Sequence, residues 1–234
     1  MKRMMFAAQR PGTALICGAA LALLLVAAPV VAQETTDTWY AQRVTSGDTP
    51  LIVEYLWSKG PKQRAETVIG GHPIITLVNG ERYIIIDGLE NTGVSIQRSS
   101  AAIREDGKRS RPFGNEGALL QAEGAEKVST ETIAGRSCDL YRVTNKEGRK
   151  EVCVSRDETL LPLQLRVWRR ASGKEAVTRY LDWTSALALS DRFFEPDSAV
   201  TLEHLSYDDY LRRAANEQIG PAPPFFGDLL HGPK

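Results

Sequence analysis

The chain has 234 residues, 42% of them hydrophobic and 25% charged, with 29 lysines and arginines balancing 29 aspartates and glutamates. That composition excludes a disordered polymer, a collagen-like repeat and a multi-pass membrane protein, and it suits one globular domain. Balanced charge gives no pull toward phosphate polymers, so nucleic acid is not an expected partner.

The first element in chain order is an export signal over residues 1–32. Lys2, Arg3 and Arg10 precede an apolar run over residues 14–28, and Pro29, Val30 and Ala32 supply the short side chains that a signal peptidase reads. Cleavage after Ala32 removes three cations and leaves a periplasmic chain from Gln33 with a net charge of −3. The alternative is an uncleaved inner-membrane anchor over residues 14–32. Cys17 is not an expected lipidation site, because Ile16 stands where a small residue is needed.

Past a polar leader over 33–38, short apolar stretches alternate with turn residues, and the pattern predicts strands. In residues 51–58 the period of two puts Val53, Tyr55 and Trp57 on one face and Glu54 and Ser58 on the other. Further strands are expected over 63–69, 74–78, 83–86 and 94–98, with Gly60–Pro61 and Gly70–Gly71 as turns and Asn79–Gly80 as a two-residue hairpin loop. Residues 99–126 differ. Arg104, Glu105, Asp106, Lys108, Arg109 and Arg111 read as a solvated polar loop, and residues 115–122 as one or two helical turns carrying Leu119 and Leu120. An excursion this long inside a compact domain is a candidate moving cover, with those two leucines as lid residues.

Strands resume over 127–133, 138–144, 149–155, 163–169 and 176–183. Cys138 and Cys153 are expected to form a disulfide in an exported chain. A type I turn over 145–148 with a bulge at Gly148 would put them on different faces, whereas a four-residue loop over 144–147 would set them face to face, and the latter register is the expectation. Residues 74–78, 83–86 and 163–168 are apolar on both faces, so both sides of the sheet must be covered. Ser206 through Asp209 predicts a capped helix running to about Gln218. The tail that follows, Pro221 to Pro224 with Phe225, Phe226, Leu229 and Leu230, reads as an extended apolar strap that packs on its own domain or binds an envelope partner.

Catalytic motifs do not emerge. His72, His204 and His231 stand in turn, helix-start and tail contexts without a second ligand at metal spacing, and surface solvation is their expected role. No nucleophile elbow or phosphate-cradling loop is present, and the acid pairs Asp157–Glu158 and Asp208–Asp209 read as turn and capping residues. The expectation is a protein that is not an enzyme and holds no metal or cofactor.

Several segments resemble the LolA/LolB-like periplasmic lipoprotein carriers: Leu56, Trp57, Lys59 and Pro61; Val78, Asn79, Gly80, Tyr83 and Asp87; residues 135–141; residues 153–165; and Asp191 to Pro196 with its paired phenylalanines. They span about residues 39–203. The resemblance implies a mainly β domain over 33–203, a strongly curved antiparallel sheet forming an unclosed half-barrel with helices plugging its concave face, followed by a C-terminal helix and tail over 204–234. It also implies a hollow that takes up acyl chains from lipid or a lipid-modified protein, with a monomer expected. Val53, Tyr55, Trp57, Leu163, Leu165 and Val167 are the expected lining. Carriers of this kind have an arginine before the first turn's proline that latches the lid. Here that position is Gly60, so the latch does not carry over, and Lys59 and Arg64 are the candidate substitutes. An envelope sensor with a self-filled hollow is the alternative to a carrier.

Overall fold

The computed structural model describes residues 37–157 and 159–233, so the expected signal peptide, Cys17 and Glu158 lie outside the described residues. Six strands come first: β1 (Thr38–Gly47), β2 (Ile52–Lys59), β3 (Lys62–Ile69), β4 (His72–Asn79), β5 (Arg82–Asp87) and β6 (Thr92–Gln97). Two helices, α1 (Ser100–Asp106) and α2 (Glu116–Ala122), interrupt them. Then follow β7 (Glu126–Ile133), β8 (Arg136–Thr144), β9 (Gly148–Ser155), β10 (Pro162–Arg169) and β11 (Glu175–Ser185). A 3-10 turn (Asp191–Phe194), β12 (Thr201–Leu205), α3 (Tyr207–Ala214) and α4 (Gly227–His231) complete the chain. All twelve strands join one curved sheet in the order β12-β6-β5-β4-β3-β2-β1-β11-β10-β9-β8-β7. Its ends do not meet, which is the unclosed half-barrel expected. One pairing departs from antiparallel: β12 runs parallel to β6.

The hairpins explain the registers. Lys59 faces Lys62, Ile69 faces His72, and Asn79 faces Arg82. The third loop is therefore Gly80–Glu81, one residue later than expected, and in each hairpin the first loop residue is a glycine at φ 55–58°. Between β8 and β9, Asn145 and Gly148 exchange backbone hydrogen bonds around Lys146 and Glu147. Cys138 then faces Ser155, and Leu140 faces Cys153. The disulfide forms as expected but in neither register considered from sequence. The cysteines share a face as diagonal neighbours, with Cα atoms 5.4 Å apart.

Both faces are covered, each by a different part of the chain. On one face, Ala41, Leu56, Ala65, Ile74, Val78, Tyr83, Ile85, Val94 and Ile96 meet Tyr210, Ile219, Ala222, Phe226, Leu229 and Leu230 from the C-terminal segment in one core cluster. The tail is thus built into the main core, and its last part is the helix α4, not an extended strap. Arg98 anchors it. Fully buried, its guanidinium donates to the Leu229 carbonyl at 2.6 Å and the Gly80 carbonyl at 2.7 Å, and forms a two-pronged pair with Asp106 at 2.7 and 2.8 Å. Ser99 caps α1 and also donates to the His231 carbonyl at 2.7 Å. Ser206 starts α3 where expected, its hydroxyl accepting from the Asp209 backbone N–H and donating to the Asp209 carboxylate, although the helix ends at Ala214.

On the other face, Leu77, Ile84 and Ile86 pack with Ile75, Val200 and Leu202 beneath the segment 186–202. Lys59 and Arg64, the candidate substitutes for the missing arginine, hold this segment and its 3-10 turn and not the expected lid at Leu119 and Leu120, which lies on the opposite face. Lys59 and Lys62 pair with Asp191 at 2.9 and 3.4 Å, Lys59 also donates to the Leu189 carbonyl, and Arg64 donates to the Phe193 carbonyl while lying 4.7 Å from that ring's centre. The two-sided apolar strands β4 and β5 are accounted for by these two covers.

Candidate functional site

Past β1, among the described residues, the helical face of β8, β9 and β10 is covered by α2 and the residues leading into it and not by the C-terminal segment. Leu120 of α2 is buried against Val152 and Val154, with Tyr141, Val143 and Leu165 at the margin. Leu119, the other expected lid residue, points outward and is 55% exposed. The approach to α2 is close. A Cβ at Gly117 would lie 2.6 Å from a Val154 methyl, and one at Gly114, at φ 72°, would lie 2.4 Å from the Trp183 ring. Beside this contact opens a cleft of about 860 Å³, bounded by Trp39, Tyr141, Val154, Leu160 and Ala118 on its apolar side and by Arg111, Asn115, Asp139, Ser155 and Arg156 on its polar side. Its volume is that of a small-molecule site.

An aromatic cluster joins Trp39 of the cleft lining to a buried ionic network. Trp183 stacks between Phe113 at 5.7 Å and Tyr180 at 5.0 Å, and meets Trp39 edge-on at 6.2 Å. Arg43 grips Glu54 with two hydrogen bonds of 2.5 and 2.8 Å and lies 4.0 Å from Glu116, whose other contact is the Tyr180 hydroxyl at 2.6 Å. Burial works against the charge on Arg43, but Tyr180, Glu54 and Glu116 outweigh it and raise its pKa. Burial and the neighbouring Glu116 drive the Tyr180 phenol far above its ordinary value, so it stays a proton donor. The Arg43 guanidinium also lies 5.2 Å over the Phe226 ring, which ties the plugged part of the sheet to the open part. The network ties Arg43 and Tyr180 of the sheet to Glu116, the first residue of α2.

The expected lining residues do not share a face. Trp57 and Tyr55 lie with Tyr40 and Phe193 on the side of the 3-10 turn, and Val53 and Tyr55 border a small surface hollow there. Leu56 takes the helical side instead, because period-two alternation sends its neighbours across the sheet. Leu163 packs with the disulfide, Leu140 and Ile133. An irregularity between Pro162 and Gln164 shifts its register, so that Leu165, facing Val152 and Thr178, points toward α2, and Val167 two residues on shares that side. Of the six, Leu165 and Val167 alone are placed on the face that holds the cleft.

Two further expectations change. Residues 100–106 form helix α1, and Arg111 is 7% exposed, not part of a solvated charge run. Of the histidines, His72 pairs with Asp87 at 2.6 Å, His231 meets the Tyr207 hydroxyl at 2.9 Å, and His204 lies in β12 and not at a helix start. Thr38, where the polar leader was expected to end, already belongs to β1, and Trp39 and Arg111 are the site residues the sequence did not reveal. The signal was present in the break of the charge run by Pro112, Phe113 and Gly114, residues that turn a chain inward.

Fold and site together define a curved, open sheet with one half-hollow plugged by its own C-terminus and one left open under a short helix. No protein-family model matches the sequence, and no curated protein matches it. Solved structures do. An uncharacterized conserved protein from Thermus thermophilus aligns over 72% of this chain and 91% of its own, at 10% identity and a TM-score of 0.51. MucB in complex with MucA(peri) aligns over 71% of this chain and 57% of its own at 13% identity, TM-score 0.46, and the Mycobacterium tuberculosis lipoprotein LppX over 66% and 90% at 8% identity, TM-score 0.39. The likeness is one of fold, and the architecture is the one that the resemblance to LolA/LolB-like proteins implies.

Proposed function

We propose that the protein is an exported, non-catalytic binding protein of the cell envelope that shelters an acyl chain, from a lipid or a lipid-modified protein, in the cleft under α2. The observation that carries this reading is the contrast between the filled and unfilled parts of one sheet face: the same fold that closes its core over β3–β6 leaves about 860 Å³ beside Val154, Tyr141 and Trp39. A chain of about a dozen methylenes gains ~0.8 kcal/mol for each one buried, enough for reversible carriage without a covalent step. The Cys138–Cys153 disulfide supports an oxidising compartment, in keeping with the periplasm.

Uptake of a fluorescent dodecanoate tests the reading. Ala118 is exposed on α2 at the cleft, so Ala118→Trp should fill the space and abolish uptake while leaving the unfolding midpoint in place. Equal uptake by the filled variant contradicts the site. A second reading, an envelope interaction module, draws support from the self-filled hollow over β3–β6; under it, folded protein takes up no acyl probe at all.

A further inference from the structure

Arg111 is the one cleft residue whose placement the fold does not explain. Its guanidinium lies 5.1 Å from the centre of the Trp39 ring and 5.4 Å from that of Trp183. It is 7% exposed, yet no carboxylate pairs with it among the described residues. Among those residues its acceptor is the Gly114 carbonyl, at 3.1 Å, and its Nε–H is buried without a partner. Glu116 accepts from Tyr180 through Oε1 and lies 4.0 Å from Arg43, while its Oε2 is buried without a hydrogen-bond partner, so it does not satisfy Arg111 either.

A buried guanidinium with an unused donor is costly, since desolvating it forfeits strong hydrogen bonds to water. Burial accordingly pushes its pKa down, against the opposing pull of Glu116, Tyr180 and Asp37, although an arginine so placed keeps its proton. Two indole faces compensate in part by cation–π attraction. The two rings stand nearly perpendicular to each other and hold the planar group at one side, and a guanidinium so held can receive a carboxylate or phosphate through its N–H donors. Arg156 stands at the same cleft, 3.6 Å from an Asp139 carboxylate that Lys127 also holds. Apolar surface runs on from Arg111 along Val154, Tyr141 and Leu160.

We propose that the cleft selects anionic amphiphiles: a carboxylate or phosphate head pairs with Arg111 beside Trp39 while its acyl chain lies along Val154 and Tyr141 beneath α2. This rests on the acyl-binding reading and adds head-group selection to it. Neutral lipids of equal chain length bind more weakly, because they leave the buried donor unsatisfied.

The test compares dodecanoate, dodecyl phosphate, dodecanol and dodecyltrimethylammonium below their micelle concentrations, followed by tryptophan emission and by calorimetry on the full protein. Both anions should bind about tenfold or more tighter than the alcohol, in line with a charge-assisted hydrogen bond, and should perturb the emission of the indoles beside Arg111. The relative affinities of carboxylate and phosphate then say which head is preferred. In Arg111→Met the anions should fall to the affinity of dodecanol, whose own binding stays unchanged, and Arg111→Lys should restore part of the difference. If dodecanol matches dodecanoate in the wild-type protein, head-group selection is overturned while acyl binding stands. An anion preference that persists in a folded Arg111→Met protein overturns the role of Arg111. Uptake of none of the four overturns the acyl-binding reading and this proposal with it. The wild-type comparison decides the matter even if the methionine variant does not fold.

Discussion

One continuous sheet is finished in two different ways. Over β3 to β6 the helical face is sealed by the chain's own C-terminus, with Phe226, Leu229 and Leu230 in the core and Arg98 and Ser99 bonded to the tail's carbonyls. Over β8 to β10 the same face carries α2 alone, held by Leu120 and by a close approach at Gly117. The first part commits its apolar surface to stability, and the second leaves some uncovered. A hollow in this fold is therefore a local choice made by how far the tail reaches, not a property of the curved sheet itself.

The largest test of that contrast is truncation on each side. Leu230→Ala, at a fully buried plug position, should cost about 3–5 kcal/mol in urea unfolding, because the surrounding core cannot collapse onto the space left. Leu120→Ala should cost about 2–3 kcal/mol, since a seven-residue helix beside a cleft can settle inward. Equal costs would erase the distinction between the two parts. Next in size is the bridge: it closes a 15-residue separation at the β8–β9 hairpin, and its reduction should remove about 3 kcal/mol. Hydrogen exchange should show that loss concentrated in β7–β9, with the plug amides protected as before.

A smaller effect concerns acid. Asp157 follows β9, and hydrogen bonds from Thr159, and then from Arg136 and Ser155, outweigh its desolvation and hold its pKa at about 2. A carboxylate depressed in the folded state stabilises fully above its unfolded pKa, about 3.9, and that contribution fades as pH falls through 4 toward 2. The urea midpoint should drop over this window, and Asp157→Asn should flatten part of the slope; Asp157 is half exposed, so the change is modest. Smallest of all, Leu119→Ser on the outer surface of α2 should shift stability by less than about 0.5 kcal/mol, which unfolding curves would register as superimposable.

Much of the sheet is legible in the sequence because alternation and paired turn residues are local signals: β2 to β6 and β7 to β11 fall within a few residues of their expected bounds. β1 and β12 escape notice for opposite reasons. β1 carries the polar Thr38, Gln42 and Arg43 among its apolar residues, and Thr38 bonds to Leu187, far along the chain, whereas β12 has five residues with little alternation. Face assignment at β2 fails for a physical reason. Val53, Tyr55 and Trp57 look like a core stripe, but the C-terminal segment covers the face that carries Glu54, Leu56 and Ser58, while Trp57 packs on Phe193 of the 3-10 turn and Tyr55 stays exposed. Arg111 is illegible alone, because its environment is assembled from Trp39 and Trp183, one residue from each of two strands that meet only in the folded sheet.

The central claim is that an acyl chain lies beneath α2 and not against the C-terminal plug. Binding a nitroxide-labelled fatty acid and recording paramagnetic broadening of backbone amides tests it most directly. The account predicts broadening at Ala118, Tyr141 and Val154, with Leu229 and Leu230 untouched. Broadening centred on α4, or on the segment over Phe193 across the sheet, would contradict it.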